Sequence, residues 1–237
     1  MKSSLAIIPA RGGSKRIPRK NIKNFLGMPV IYYSIEAALK SNLFDEVMVS
    51  TDDEEIAKIS MKFGAKVPFL RSKINSDDFS GTGDVALEVL NFYSKIGKYF
   101  DYCCCIYAAA PLIQKKNLVE GFDLLKSSQY DVVLPICPFS SSIWRSYNLD
   151  FEQKGLLKNF PENEVIKRSQ DLPNAYFDAG QFYWFKTSQF FRLENKNIFG
   201  TKKGGIILNE VEAQDIDSIV DWEMALMKHQ ILQNRLK

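Results

Sequence analysis

Short apolar runs alternate with longer stretches of helical spacing along the first part of this chain, and that rhythm restricts its fold more than any other feature. Leu5–Pro9, Glu46–Ser50, Lys66–Phe69, Asp101–Tyr107 and Asp131–Pro135 read as strands. Between them, Val30–Lys40 places Ile31, Ser34, Ile35 and Ala38 on one side of a helix. Thr51 followed by Glu54 predicts a capped helix running to about Phe63. Ser80 or Thr82 caps another, ending near Lys95, and Lys115–Ser127 forms a fourth. Strands alternating with helices predict a mainly parallel α/β sheet with helices on both faces. Such sheets bind ligands at the carboxyl ends of their strands, so the loops after the first, third and fourth strands are the places to look.

The rhythm breaks near Pro138. From Pro138 to Pro173 Trp144, Tyr147, Phe151 and Phe160 are scattered among polar residues, a pattern of a packed or interface-forming arm as opposed to a bare surface loop. Strand-like Phe182–Phe185 and Gly205–Leu208 follow, then a helix over Ser218–Leu236. A chain of 237 residues with this continuity predicts one domain carrying a small insertion at about 138–173.

The balance of charge, +3 in total, is too mild for a nucleic-acid binder. Cys103, Cys104 and Cys105 lie inside an apolar run and Cys137 stands apart, so they read as small buried side chains. A single histidine, His229, excludes a histidine-based metal centre and a Ser-His-Asp triad. Neither a signal-peptide pattern nor a run of bilayer-spanning length is present, which predicts a cytoplasmic protein.

One local cluster stands out against this even background. The first strand runs directly into Ala10-Arg11-Gly12-Gly13-Ser14-Lys15-Arg16-Ile17-Pro18-Arg19-Lys20-Asn21, six cations with no acid among residues 11–23 once Lys23 is added. Glycines allow close backbone approach, backbone N–H groups cradle phosphate oxygens, and arginine and lysine supply charge. The loop therefore points to a polyphosphate, although neither the P-loop nor the G-x-G-x-x-G fingerprint is present.

The segment Ile8-Pro9-Ala10-Arg11-Gly12-Gly13-Ser14-Lys15-Arg16, closing with Lys20-Asn21, resembles the signature of the CMP-sialic acid synthetase family. The resemblance spans almost the whole chain. It continues through Arg71, the Ser76–Asp84 loop, Ala110-Pro111-Leu112, Arg168–Pro173 and Asp215-Ile216-Asp217. It implies a Rossmann-like nucleotidyltransferase fold with a dimerisation arm, a homodimer, and magnesium-dependent transfer of CMP from CTP to an acidic sugar. Arg11, Gly12, Gly13, Ser14, Lys15 and Lys20 would then hold the triphosphate, with Lys20 nearest the reacting phosphate. Asn21 would meet the ribose, and Arg71, Phe79, Ser80 and Thr82 the cytidine and its phosphates. Unaided by the resemblance, Arg71 reads as a surface arginine.

Asp215 and Asp217 stand two apart, and residues so spaced on an extended segment share one side. On spacing alone they serve equally as magnesium ligands or as caps of the last helix. The resemblance favours the metal, with Lys20, Arg11 and both aspartates as the catalytic set.

Arg168, Gln170 and Tyr176 resemble the family's acceptor-facing segment, Arg168 facing the sugar carboxylate and Tyr176 open to an alternative packing role. Two departures bear on the sugar. Tyr107 stands where sialic acid enzymes tend to carry glutamine, and Asp178-Ala179-Gly180-Gln181-Phe182-Tyr183-Trp184 replaces their Asn-Gly. Both resemble the pseudaminic acid cytidylyltransferases, so Tyr107, Asp178 and Gln181 are expected at the sugar. The alternatives are legionaminic or N-acetylneuraminic acid as acceptor, or an inactive module that binds CTP.

Overall fold

The structure is a computed structural model describing residues 3–77, 80–152, 154–160, 168, 171–192 and 202–235. In chain order its strands and helices are β1 (Ser4–Pro9), β2 (Asn24–Phe25), β3 (Met28–Pro29), α1 (Ile31–Ser41), β4 (Glu46–Ser50), α2 (Glu54–Lys62), α3 (Thr82–Lys95), β5 (Tyr102–Ile106), α4 (Lys115–Ser127), β6 (Val132–Pro138), β7 (Ser146–Asp150), β8 (Leu156–Phe160), β9 (Tyr176–Asp178), β10 (Phe182–Lys186), α5 (Thr187–Arg192), β11 (Lys203–Ile207) and α6 (Ile219–Arg235).

The central sheet runs β11-β6-β10-β5-β1-β4, with β9 alongside β6. β1 pairs in parallel with β4 and β5, and β11 in parallel with β6. β10 lies antiparallel between β5 and β6. Successive side chains of a strand face opposite ways. Ala6 and Ile8 accordingly join a core with Ile35 of α1, Ile56 of α2 and Leu118 of α4. Leu5 and Ile7 join a second with Val89 and Tyr93 of α3 and Phe190 of α5. Helices thus cover both faces, and the cysteine run of β5 is buried between them. Burial pushes the Cys103 thiol up to about 12, so all three read as packing groups.

The expected strand at Lys66–Phe69 contracts to one parallel bridge between Met48 and Lys66. Two helix starts also differ from the sequence expectation. Asp53, not Thr51, caps α2 through the amides of Glu55 and Ile56. Gly81 occupies the cap position of α3, its N–H donating to Asp84 Oδ2 at 2.9 Å. At α2 a side chain that meets the first-turn amides outweighs a spacing template, and at α3 a first-turn carboxylate reaches back to the cap amide.

The interrupted region contains the antiparallel hairpin β7–β8, paired from Ser146↔Phe160 to Asp150↔Leu156. Tyr147, Leu149, Phe151, Leu156 and Leu157 are exposed there, Phe151 at 83%. No helix among the described residues is long and apolar enough to cross a membrane.

Candidate active site

The basic loop leaves the carboxyl end of β1 and is held from the side by the loop after β4. Ala10 N donates to Ser50 O at 2.9 Å, and Gly12 N to Asp52 Oδ1 at 2.9 Å. A Cβ on Gly12 would stand 2.7 Å from Asp53 Oδ2, so only glycine allows this approach. Gly13 faces open space, Ser14 N turns back to Gly12 O at 3.0 Å, and Lys15 is exposed.

The far end of the loop is fixed by the same carboxylate. Arg19 takes a left-handed φ of 55°, and its guanidinium bonds Asp53 and Glu55. That arginine holds the Asp53 carboxyl below the usual carboxylate range. Asp53 therefore touches both Gly12 and Arg19 while starting α2.

Lys20 follows immediately. Its ammonium donates to Ile216 O at 2.6 Å and lies 3.7 Å from Asp217 Oδ1. Burial draws its pKa down, against the charges of Asp217 and Asp215. Arg16 pairs with Asp217 at 2.8 Å. Asn21 is buried and donates to Arg11 O at 2.9 Å, while Arg11 Nη1 reaches Asp77 O at 2.8 Å. Arg71 is buried, contrary to its unaided surface reading. Its Nε donates to Ser50 Oγ at 3.0 Å and its Nη2 to Ser50 O. Desolvation lowers its pKa, with Asp52 and Glu88 opposing. Ser80 bonds Asp77 Oδ1 and Ile74 O, both at 2.8 Å from its hydroxyl, and Thr82 opens α3.

Asp215 and Asp217 flank the buried Ile216. The capping role is taken by neighbours: Ser218 N donates to Asp221 Oδ2 at 2.7 Å and Asp221 N to Ser218 Oγ at 3.2 Å. Both carboxylates of the pair are thereby spared that task. Asp215 as a residue is exposed, yet its carboxylate leans on Gly180, where an added Cβ would lie 3.3 Å from Asp215 Cγ. Desolvation there, and then the charge of Asp217, push the Asp215 carboxyl up. Two acids that repel each other in this way fit a cation whose remaining ligands come from elsewhere. Among the described residues, no cluster of three or more His, Cys, Asp or Glu forms a metal site.

Gly180 also links this end to Asp178, which the sequence places at the sugar. Asp178 closes β9, its Oδ1 accepting from Gly180 N at 2.9 Å and its Oδ2 from the Tyr183 hydroxyl at 2.8 Å. Tyr107 lies just beyond β5, its amide bonded to Gln181 O at 2.8 Å. Gln181 itself is buried, its amide nitrogen donating to Glu212 O. Tyr176 is exposed on β9. Arg168 is exposed and pairs with Asp171 in its own turn at 3.0 Å. Phe79 and Gln170 lie outside the described residues.

Sequence reading passed over Asp52 and Asp53, and gave Arg16 and Tyr183 no role of their own. The first two come from the loop after β4, a carboxyl-end loop it did not single out, although its Thr51-Asp52-Asp53 is a visible acidic signal beside a basic loop. Size would have misled as well. A concavity of about 1100 Å³ between α4 and β11 shares no residue with this site.

The family model for cytidylyltransferases matches residues 5–235. The chain belongs to the cytidylyltransferase family. A pseudaminic acid cytidylyltransferase of Campylobacter jejuni is 42% identical to it, over 96% of this chain and 97% of the relative. A CMP-N,N'-diacetyllegionaminic acid synthase of Legionella pneumophila is 30% identical, over 93% of each. The solved structure of a CMP-2-keto-3-deoxy-manno-octonic acid synthetase complexed with CTP superposes with a TM-score of 0.68, covering 97% of this chain and all of that one. At 19% identity that likeness establishes the fold. This cytidylyltransferase is therefore an enzyme of CMP transfer, built on the expected α/β nucleotidyltransferase sheet.

Proposed function

We propose that this cytidylyltransferase transfers CMP from CTP to pseudaminic acid, releasing pyrophosphate. The observation that carries the reading is the meeting, around Gly180, of Asp215 with Asp178, a residue expected at the sugar. The 42% identity to a pseudaminic acid enzyme, against 30% to the legionaminic acid one, favours that acceptor.

In this reading Arg11, Lys15 and Lys20 neutralise the triphosphate, and the amides of Gly12, Gly13 and Ser14 contact its oxygens. Lys20 stands next to the carboxylates and faces the α-phosphate, where negative charge gathers during transfer. Asn21 acts behind it, fixing the Arg11 carbonyl. Arg71, Ser80 and Thr82 line the cytidine side, and Asp215 and Asp217 would hold magnesium. That ion would supply charge to offset the triphosphate and polarise its phosphorus. The sugar's anomeric oxygen forms the new bond to phosphorus, its proton passes to solvent water, and the bond to pyrophosphate breaks. Positioning supplies most of such catalysis. His229 is no base for it, being packed edge-on against Phe25 and Tyr33.

The chain acts as a single cytidylyltransferase domain with an insertion at about 138–173. The exposed apolar row of β7–β8 supports a homodimer through that arm. The test is pyrophosphate release from CTP and magnesium with pseudaminic, legionaminic and N-acetylneuraminic acids in parallel. Fastest release with pseudaminic acid is expected. Preference for another acid removes the acceptor assignment, and CTP binding without release for any acid removes the enzyme reading.

A further inference from the structure

β10 runs antiparallel to β5 with Tyr183 opposite Cys105, so Tyr183 shares a sheet face with Tyr107, two residues further along the chain from Cys105. The two rings lie 5.3 Å apart at 58°. Tyr107 also stands 3.4 Å from the Thr82 hydroxyl. A line of polar groups therefore joins the start of α3 on the nucleotide side to Asp178 on the acceptor side.

The bond at the acceptor end has a fixed direction. A carboxylate only accepts, and the Tyr183 hydroxyl has one proton. Tyr183 donates it to Asp178 Oδ2 at 2.8 Å. Tyr183 is 2% exposed, so this bond is shielded from water on the tyrosine side.

Asp178 ends the line in the open. Gly180 N occupies one lone pair of Oδ1 and Tyr183 one of Oδ2. Each oxygen keeps another lone pair. A fixed anion repels a carboxylate and attracts N–H and O–H donors, so Asp178 suits the amide and hydroxyl flank of an acidic amido sugar and not its carboxylate.

We propose that Tyr183 is a positioning residue for acceptor selection, holding the Asp178 carboxylate in the orientation that accepts hydrogen bonds from the sugar's amide and hydroxyl groups. The inference rests on the acceptor reading above. Tyr183→Phe removes one hydroxyl and keeps the ring in its core. With wild-type activity on pseudaminic acid established first, the variant should raise KM for that sugar about tenfold and leave KM for CTP within about twofold. Asp178→Asn should raise KM for the sugar similarly, and the double variant should be no worse than the worse single one. An unchanged sugar KM in Tyr183→Phe, an equal rise for both substrates, or additive effects in the double variant would overturn the assignment. An inactive wild type would instead count against the acceptor reading itself.

Discussion

The basic loop and the β7–β8 arm are both excursions from the same sheet, yet they are held in opposite ways. The loop is bound by its own chain at every turn: Gly12 against Asp52 and Asp53, Arg19 on Asp53, Asn21 on Arg11, Lys20 on Ile216. The arm is held by the hairpin ladder and turns its apolar side chains outward. A loop that, in the proposed reading, meets a polyphosphate gains from having its geometry settled beforehand, since ordering then costs binding less. An outward apolar row gains only when another surface covers it. One excursion is finished within the chain; the other is finished, in the dimer reading, by a second copy.

This contrast can be broken first at Lys20. Lys20→Ala should cut turnover with CTP and pseudaminic acid by about 10²–10³-fold. Its melting temperature should change little, since burial works against that ammonium in the folded chain. Near-normal turnover would deny the loop its catalytic role.

Arg19→Ala tests whether the loop is held from behind. A rise of about tenfold in KM for CTP is expected, smaller than the effect at Lys20 because Arg19 acts through the backbone. Its stability signature has a sign. Asp53 has a depressed carboxyl, so the pair contributes above the unfolded carboxylate pKa of about 4 and loses that contribution as pH falls through the depressed folded value. The melting-temperature gap between wild type and Arg19→Ala should stand at neutral pH and close in acid. A gap independent of pH would remove the ion pair as its cause.

The arm should show the smallest effect on chemistry and the largest on assembly. Phe151→Asp with Leu157→Asp is expected to yield a monomer by light scattering, with CTP binding altered by no more than about twofold. A double variant that stays dimeric would place the interface elsewhere.

Much of this architecture was readable beforehand because it is local. The apolar runs at Leu5–Pro9 and Asp101–Tyr107 became β1 and β5, and the periodic stretch from Val30 became α1. The loop's chemistry was readable for the same reason: its cations and glycines are contiguous. What was hidden is non-local. Phe182–Phe185 reads as a strand, but nothing in it says that it slots between β5 and β6 in reverse. Tyr183 sits in an aromatic run that core packing fully explains, and its bond to Asp178 exists only once the chain turns at Gly180. Asp53 was overlooked because Thr51 and Glu54 satisfy a spacing rule that takes no account of Arg19.

The reversal of β10 has a consequence of its own. In a parallel sheet every strand arrives at the carboxyl rim and then departs over a face of the sheet. A reversed strand departs from that rim instead, so the chain just before it must already be there. Asp178–Gln181 is that chain, and it stands beside the loops that begin where β1 and β5 stop. The reversed strand thus delivers a second set of side chains to the same edge, and in the proposed reading both substrates are recognised on a single rim.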